Sequence, residues 1–288
     1  MTYGGAVLAQ NVMVDYNKNG KYKSEIRDNH ASRYGGAICS LGNTYLDGTT
    51  LTYNTAYYKG GAIYCTNADI RRSTVSHNQA QESWGGGIYA ENNVIIDGST
   101  LSENFAQESG GAIAADTVTF KNGALFYENK ANYGCGGAIW TLKITNSDVT
   151  GVTFCGNAAG EGMIEAGFMG EDYGCYGGAL YIDEETQVTF NYCSFLGNYA
   201  LEKGGAIFMD STSSKLTLKN NVFAGNYVPT MCFGEGSCVY TYGKFEKMCN
   251  NYWSENNPTS DNSELIEWRF LIPNKHHTDE NPATSSPF

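Results

Sequence analysis

Gly177-Gly178-Ala179-Leu180, then Phe195-Leu196-Gly197-Asn198, then Gly204-Gly205-Ala206-Ile207 and Phe223-Ala224-Gly225-Asn226: between residues 177 and 226 the chain states one pattern twice. A glycine-pair box is followed, about twenty residues on, by an apolar residue three places ahead of an asparagine. Working outward, such boxes begin at Gly4, Gly35, Gly60, Gly85, Gly110, Gly136, Gly177, Gly204 and, in degraded form, Gly236. The asparagines are Asn29, Asn54, Asn78, Asn104, Asn129, Asn157, Asn198, Asn226 and Asn256. A period near 25 residues implies stacked units, each burying its apolar side against its neighbours.

The columns of the repeat say how one unit folds. Three residues ahead of the asparagine stand Ile26, Leu51, Val75, Leu101, Phe126, Phe154, Phe195, Phe223 and Trp253, all apolar. Two residues beyond it stand Ala31, Ala56, Ala80, Ala106, Ala131, Ala159, Ala200, Val228 and Pro258. The fourth box position is Val7, Ile38, Ile63, Ile88, Ile113, Ile139, Leu180, Ile207 and Val239, a β-branched column suited to strands. Columns without a polar exception face a core. The glycines supply corners, through φ > 0 or close backbone approach. An inward asparagine bonds corner backbone groups and can form an amide ladder from rung to rung.

These features predict an all-β, right-handed, single-stranded parallel β-helix of the pectate-lyase-like kind, with about nine rungs. At ~4.8 Å per rung the rod is roughly 40–45 Å long. Leucine-rich repeats have a similar period but need a Leu-x-x-Leu-x-Leu frame, and propeller blades carry Gly-His and Trp-Asp marks; the chain has neither. The helix spans 1–258, a cap rich in apolar residues (Leu265, Ile266, Trp268, Phe270, Leu271) spans 259–276, and 277–288 is a disordered tail.

Composition narrows the function. The 288 residues carry a net charge of −12, which disfavours nucleic acid and anionic membrane as partners. No apolar run approaches the ~20 residues of a membrane-spanning helix. The chain enters its first box directly after Met1-Thr2-Tyr3, without a signal peptide or atypical first rung, so a unit of a longer protein, monomeric in itself and N-terminally incomplete, is expected. Nine cysteines are an odd number. Cys193 and Cys238 fall at core positions; Cys135 with Cys175, or Cys155 with Cys175, can staple the segment between them, or all remain reduced.

The boxes paired with Phe-x-x-Asn resemble the repeats of the polymorphic outer-membrane proteins, bacterial surface autotransporters. The pairs are Gly136-Gly137-Ala138-Ile139 with Phe154-Cys155-Gly156-Asn157, and the four stretches quoted at the outset. Asn250-Asn251-Tyr252-Trp253-Ser254-Glu255-Asn256-Asn257-Pro258 also looks like the last rung of adhesin-like β-helix proteins. The resemblance covers about 1–258 and implies a β-helix at the cell surface or outer membrane, or released outside the cell, serving adhesion. The early rungs depart from it, with Ile, Leu or Val for Phe, and the membrane barrel of the autotransporters is absent from the chain.

Function is expected where the repeat leaves residues unconstrained. Beside the box Ile lie Tyr64, Tyr89, Trp140, Tyr181, Phe208 and Tyr240, which strand alternation turns outward as a row of rings able to bind a host-surface protein or glycan. From asparagine to next box the gap is six or seven residues in most rungs, but twenty between Asn157 and Gly177. That insertion, 158–176, carries Glu161, Glu165, Glu171 and Asp172 and is either a contact or calcium loop or a tolerated mobile insertion. Smaller insertions lie at 16–23 and 229–233.

No catalytic residue, cofactor or metal site is expected. Carboxylates just ahead of the asparagine (Asp28, Glu103, Glu128, Glu255) are interrupted by Tyr53, His77 and Gly156, and read as solvated turns, as does Asp183-Glu184-Glu185. His276-His277 beside Asp279 and Glu280 lies in the tail. The leading expectation is a non-catalytic, adhesin-like β-helix presenting an acidic, aromatic face. The alternatives are a polysaccharide lyase or glycoside hydrolase of the β-helix type, which needs clustered acids, and a structural stalk.

Overall fold

The computed structural model describes residues 3–15, 24–167, 174–229 and 238–254, and the backbone of 266–268 and 270–271. The chain is all-β, 56% strand, and winds into a parallel solenoid of about eight turns. Box strands from Val7–Ala9 to Val239–Thr241 stack in one ladder. Within it Val7, Ile38, Ile63, Ile88, Ile113, Ile139, Leu180, Ile207 and Val239 stand in parallel register. Nine box strands bound eight complete turns, so the rung count from sequence and the turn count agree.

Each turn continues through a second strand (for example Asn43–Asp47, Gln187–Asn191), a third bearing the apolar residue ahead of the asparagine (Thr49–Thr52, Ser194–Leu196), and a two-residue strand ending on the alanine (Thr55–Ala56, Tyr199–Ala200). Strands Ile88–Ser102 and Ile113–Tyr127 run from the box position through the second and third strand positions without a break. At the far end the backbone of Ile266–Trp268 pairs in parallel with the last box strand and antiparallel with Phe270–Leu271. The remainder of 259–276, Asn256, the degraded box at Gly236, the insertions at 16–23 and 230–233, and the tail lie outside the described residues.

The two box glycines do different work. The first has positive φ, +65° at Gly136. The second is an approach site: a Cβ on Gly137 would lie 2.1 Å from the Gly178 carbonyl oxygen of the next rung. Left-handed residues also mark the other two corners, at Gly48, Arg72 and Gly98 between second and third strands, and at Asp28, Tyr53, His77, Glu103 and Glu128 just ahead of the asparagine.

The core is stacked like the backbone. Phe126, Phe154, Phe195, Phe223 and Trp253 form a continuous pile, with ring centroids 4.9, 5.2, 4.8 and 4.3 Å apart. Asn54 to Asn226 are buried, and each side-chain oxygen accepts from the backbone N–H and amide of the asparagine one rung earlier. Each amide from Asn54 onward also donates to the carbonyl of the apolar residue three places ahead of the preceding rung's asparagine, as Asn78 does to Leu51 at 3.0 Å. Ser73 and Ser99, and later Asn221 and Asn251, serve the middle corner in the same way.

Candidate binding face

Outside the core, two columns of side chains interlock along the box strands. One is the residue just past the core Ile: Leu8, Cys39, Tyr64, Tyr89, Ala114, Trp140, Tyr181, Phe208 and Tyr240, held in register by the parallel pairing. The other is the residue just ahead of the first glycine: Tyr3, Tyr34, Lys59, Trp84, Ser109, Cys135, Tyr176 and Lys203. The left-handed glycine turns each of these back over the next rung. Tyr34 stacks on Tyr64 at 4.8 Å, and Tyr176 on Phe208 at 4.5 Å. The Lys59 ammonium sits 4.1 Å from the Tyr89 ring centre and Lys203 5.4 Å from that of Tyr240, cation–π geometry. Cys135 packs with Tyr181 and Phe208. The second column was not read from the sequence, because Tyr, Lys, Trp, Ser and Cys share no polarity; its fixed place ahead of the glycine was the available signal.

The row of rings points outward and stacks up one side of the rod. Tyr64 and Tyr89 are parallel to within 7° at 5.5 Å, Tyr181 and Phe208 within 6° at 5.3 Å, and Phe208 and Tyr240 within 8° at 5.3 Å. Rings stacked along the rod turn their faces to one another and their edges to solvent. Two members are corrected in exposure: Phe208 is fully buried and Tyr181 nearly so, because Cys135 and Tyr176 close over them. Tyr64, Tyr89, Trp140 and Tyr240 are half-buried. The accessible part lies in the early rungs, where Tyr3, Tyr57 and Tyr58 are exposed beside Arg33 and Tyr34.

The row has a gap of one ring. Tyr89, Ala114 and Trp140 occupy successive rungs, and Ala114 is buried although it points outward. Trp84 supplies the cover. Its indole centre lies 4.7 Å from that of Trp140 and 5.7 Å from the Lys59 ammonium, which spans to Tyr89. That position sets Trp84 across Ala114.

A carboxylate column runs two residues beyond the rings, at Glu91, Asp116, Asp183 and Asp210. The Tyr64 hydroxyl donates to Glu91 at 2.6 Å and Tyr181 to Asp210 at 2.8 Å, in both cases from one rung to the next. Burial, then the charges of Asp210 and Glu184, push the Asp183 carboxyl above the usual range. Burial, then the bond to Asp210, raises the Tyr181 phenol. The carboxylates just ahead of the asparagine form a separate set. There Asp28, Glu103 and Glu128 occupy left-handed corners, and His77 Nε2 meets Glu103 at 2.9 Å.

The long insertion begins as a short helix, Glu161–Glu165. Glu161 pairs with Lys130 at 3.0 Å, while Met163 and Ile164 pack on Cys175 and Leu201. Glu165 is exposed, and Glu171 and Asp172 lie outside the described residues. Among the described residues no group of three or more His, Cys, Asp or Glu side chains could hold a metal.

Eight cysteines are described, all reduced thiols. Cys135 belongs to the outer ring cluster and Cys175 to the cluster under the insertion helix. Burial pushes the thiols of Cys65 and Cys135 up to about 12 from 9.0. The folded state therefore retains protons that the unfolded chain releases. This stabilisation is full below pH 9 and is lost as pH rises through 12. Titration from pH 8 to 12 should lower the urea midpoint progressively over that window. Iodoacetamide at pH 8 should label half-exposed Cys155 in the native protein, and Cys65 and Cys135 only after unfolding, as read by peptide mass mapping.

Two segments match the Chlamydia polymorphic membrane protein repeat, residues 48–66 and 192–210. Each runs from the third strand through the asparagine corner and glycine pair into the next box strand, so the match covers the corner machinery described above. The first has Leu51 where the second has Phe195, so the match accommodates an aliphatic residue as well as a phenylalanine in this column. No curated protein and no solved structure matches the chain. No helix among the described residues is long and apolar enough to cross a membrane.

Proposed function

We propose, from the premise that the chain carries polymorphic membrane protein repeats wound into a β-solenoid, that it is the display segment of an adhesin-like surface protein. Its binding face is the outer zipper beside the boxes, its partner is a host-surface protein or glycan, and residues 259–276 cap the rod. One observation carries this reading. Core columns repeat the same few residue types, whereas the zipper residues Tyr3, Tyr34, Lys59, Tyr64, Trp84 and Tyr89, with Arg33 and Tyr58 beside them, form a contiguous, partly exposed strip. Tyrosine, tryptophan and arginine are the residues that dominate binding hot spots. Beads coated with the chain should adhere to cultured host cells, and soluble chain should compete them off; adhesion equal to that of uncoated beads would sink the reading.

A catalytic reading has one foothold, the Asp183 and Asp210 carboxylates on neighbouring rungs with Tyr181 between them. Acidic glycans incubated with the chain, with and without calcium, should yield no new reducing ends or unsaturated products. Cleavage abolished by Asp183→Asn together with Asp210→Asn would establish the enzyme instead.

A further inference from the structure

Between Tyr64 and Tyr240, Ala114 is the one position of the row that carries no ring. Tyr89 and Trp140 stand two rungs apart with a single methyl between them. Two rungs are about 9.6 Å, enough for one flat ring sandwiched between two others. Most neighbouring rings of this row lie within 10° of parallel, but the filler, Trp84, meets Trp140 at 56°. It enters from the preceding corner rather than from the strand, so it covers the gap without stacking in it.

We infer that this gap is a ring-binding slot for a glycan, with Trp84 as its displaceable plug. The inference rests on the binding-face reading above and specifies where that face takes its ligand. When Trp84 swings out, the faces of Tyr89 and Trp140 that look toward Ala114 become the two walls, the only faces in this part of the row not closed by a ring in register. A pyranose fits such walls because its C–H faces pack on aromatic rings while its hydroxyls point sideways. The sideways direction is furnished by Asp116, an exposed carboxylate two residues past Ala114; at the Tyr89 wall stand Lys59, which donates to the Tyr89 hydroxyl at 2.9 Å, and Glu91, which the Tyr64 hydroxyl of the preceding rung engages at 2.6 Å. An aromatic hydrocarbon ring would use the walls but offer nothing to the Asp116 carboxylate, whereas sugar hydroxyls can donate to it, so the rim favours the sugar.

The test compares wild type, Trp84→Ala and Ala114→Tyr. Tyrosine occupies the same column at Tyr64 and Tyr89, so Ala114→Tyr fills the slot with a ring the fold already accepts. Binding to immobilised oligomers of glucose, galactose and N-acetylglucosamine is measured alongside thermal stabilisation by indole, a small flat probe. Trp84→Ala should bind at least one oligosaccharide about ten-fold or more tighter than wild type, because the cost of displacing the plug is gone. Indole should stabilise Trp84→Ala but neither wild type nor Ala114→Tyr, and Ala114→Tyr should bind sugar more weakly than wild type. Sugar binding that is unchanged in both variants overturns the slot while leaving the binding face standing. Indole stabilising Trp84→Ala with no sugar bound overturns the glycan assignment. Absence of both overturns the slot altogether, whereas cell adhesion by wild type separately decides the binding-face reading.

Discussion

Gly111→Ala should not yield the native solenoid. A Cβ at this position would lie 2.1 Å from the Gly137 carbonyl oxygen and 2.5 Å from the Lys130 backbone nitrogen. Both are main-chain atoms of the next rung, fixed by their own ladders, so no side chain can move aside to make room. The rungs must part, and every hydrogen bond stacked between them at that corner lengthens. A loss above about 4–5 kcal/mol is the range reserved for such defects. Expression into the insoluble fraction, or a urea midpoint far below wild type by circular dichroism, is the expected result. Gly167→Ala is the control. Nothing lies within 4 Å of its Cβ, and its φ of +80° leaves only left-handed strain, about 1–2 kcal/mol. Equal midpoints for the two variants would refute close rung approach as the role of the second glycine.

Asn129→Ala should be the most damaging change of a polar side chain. Its oxygen accepts from the Asn104 backbone and amide, and its amide donates to Leu101 and to Asn157. Truncation removes four buried hydrogen bonds: it strands the Asn104 N–H and one Asn104 amide hydrogen, the other still reaching Val75, and takes side-chain donors from the Leu101 carbonyl and the Asn157 amide oxygen. At about 1–3 kcal/mol each, with partial relaxation, the cost is roughly 3–6 kcal/mol. Asn29→Ala, at the half-buried first rung, should cost about 1 kcal/mol, since it removes bonds only to Asn54 and to the exposed Arg27 carbonyl. Urea midpoints of the two variants check the contrast. Similar losses at both positions would mean that the ladder does not hold the rungs cooperatively.

What was legible in the sequence were the columns whose chemistry every rung repeats. Ile38 and its equivalents, the Phe154 pile, the Ala131 corner and the Asn129 ladder are each required by burial, so each recurs. The middle corner was not legible. It needs a left-handed residue and a buried donor–acceptor, but Gly48, Arg72 and Asn220 all meet the first need and Ser73, Ser99 and Asn221 the second. Different residues solving one problem leave no repeated letter. The ring row was legible in direction, since strand alternation is local, but not in presentation. Whether a ring shows its face or its edge depends on the ring one rung away, and burial of Phe208 depends on Tyr176 and Cys135 from other corners. The acid column at Glu91, Asp116, Asp183 and Asp210 stands at a fixed offset from the box, but Thr66 and Leu142 hold the same place in two other rungs, so no unbroken row marks it.

The central claim is that the repeat builds the rod and the zipper beside it binds. Its most direct test is one paired measurement on a variant with Tyr34, Tyr58, Tyr64 and Tyr89 all changed to serine, reading host-cell adhesion and urea midpoint together. These rings lie outside the core cluster and all are at least partly exposed. Adhesion should be lost, with a midpoint that stays well above that of Asn129→Ala. Adhesion retained in full would contradict the claim.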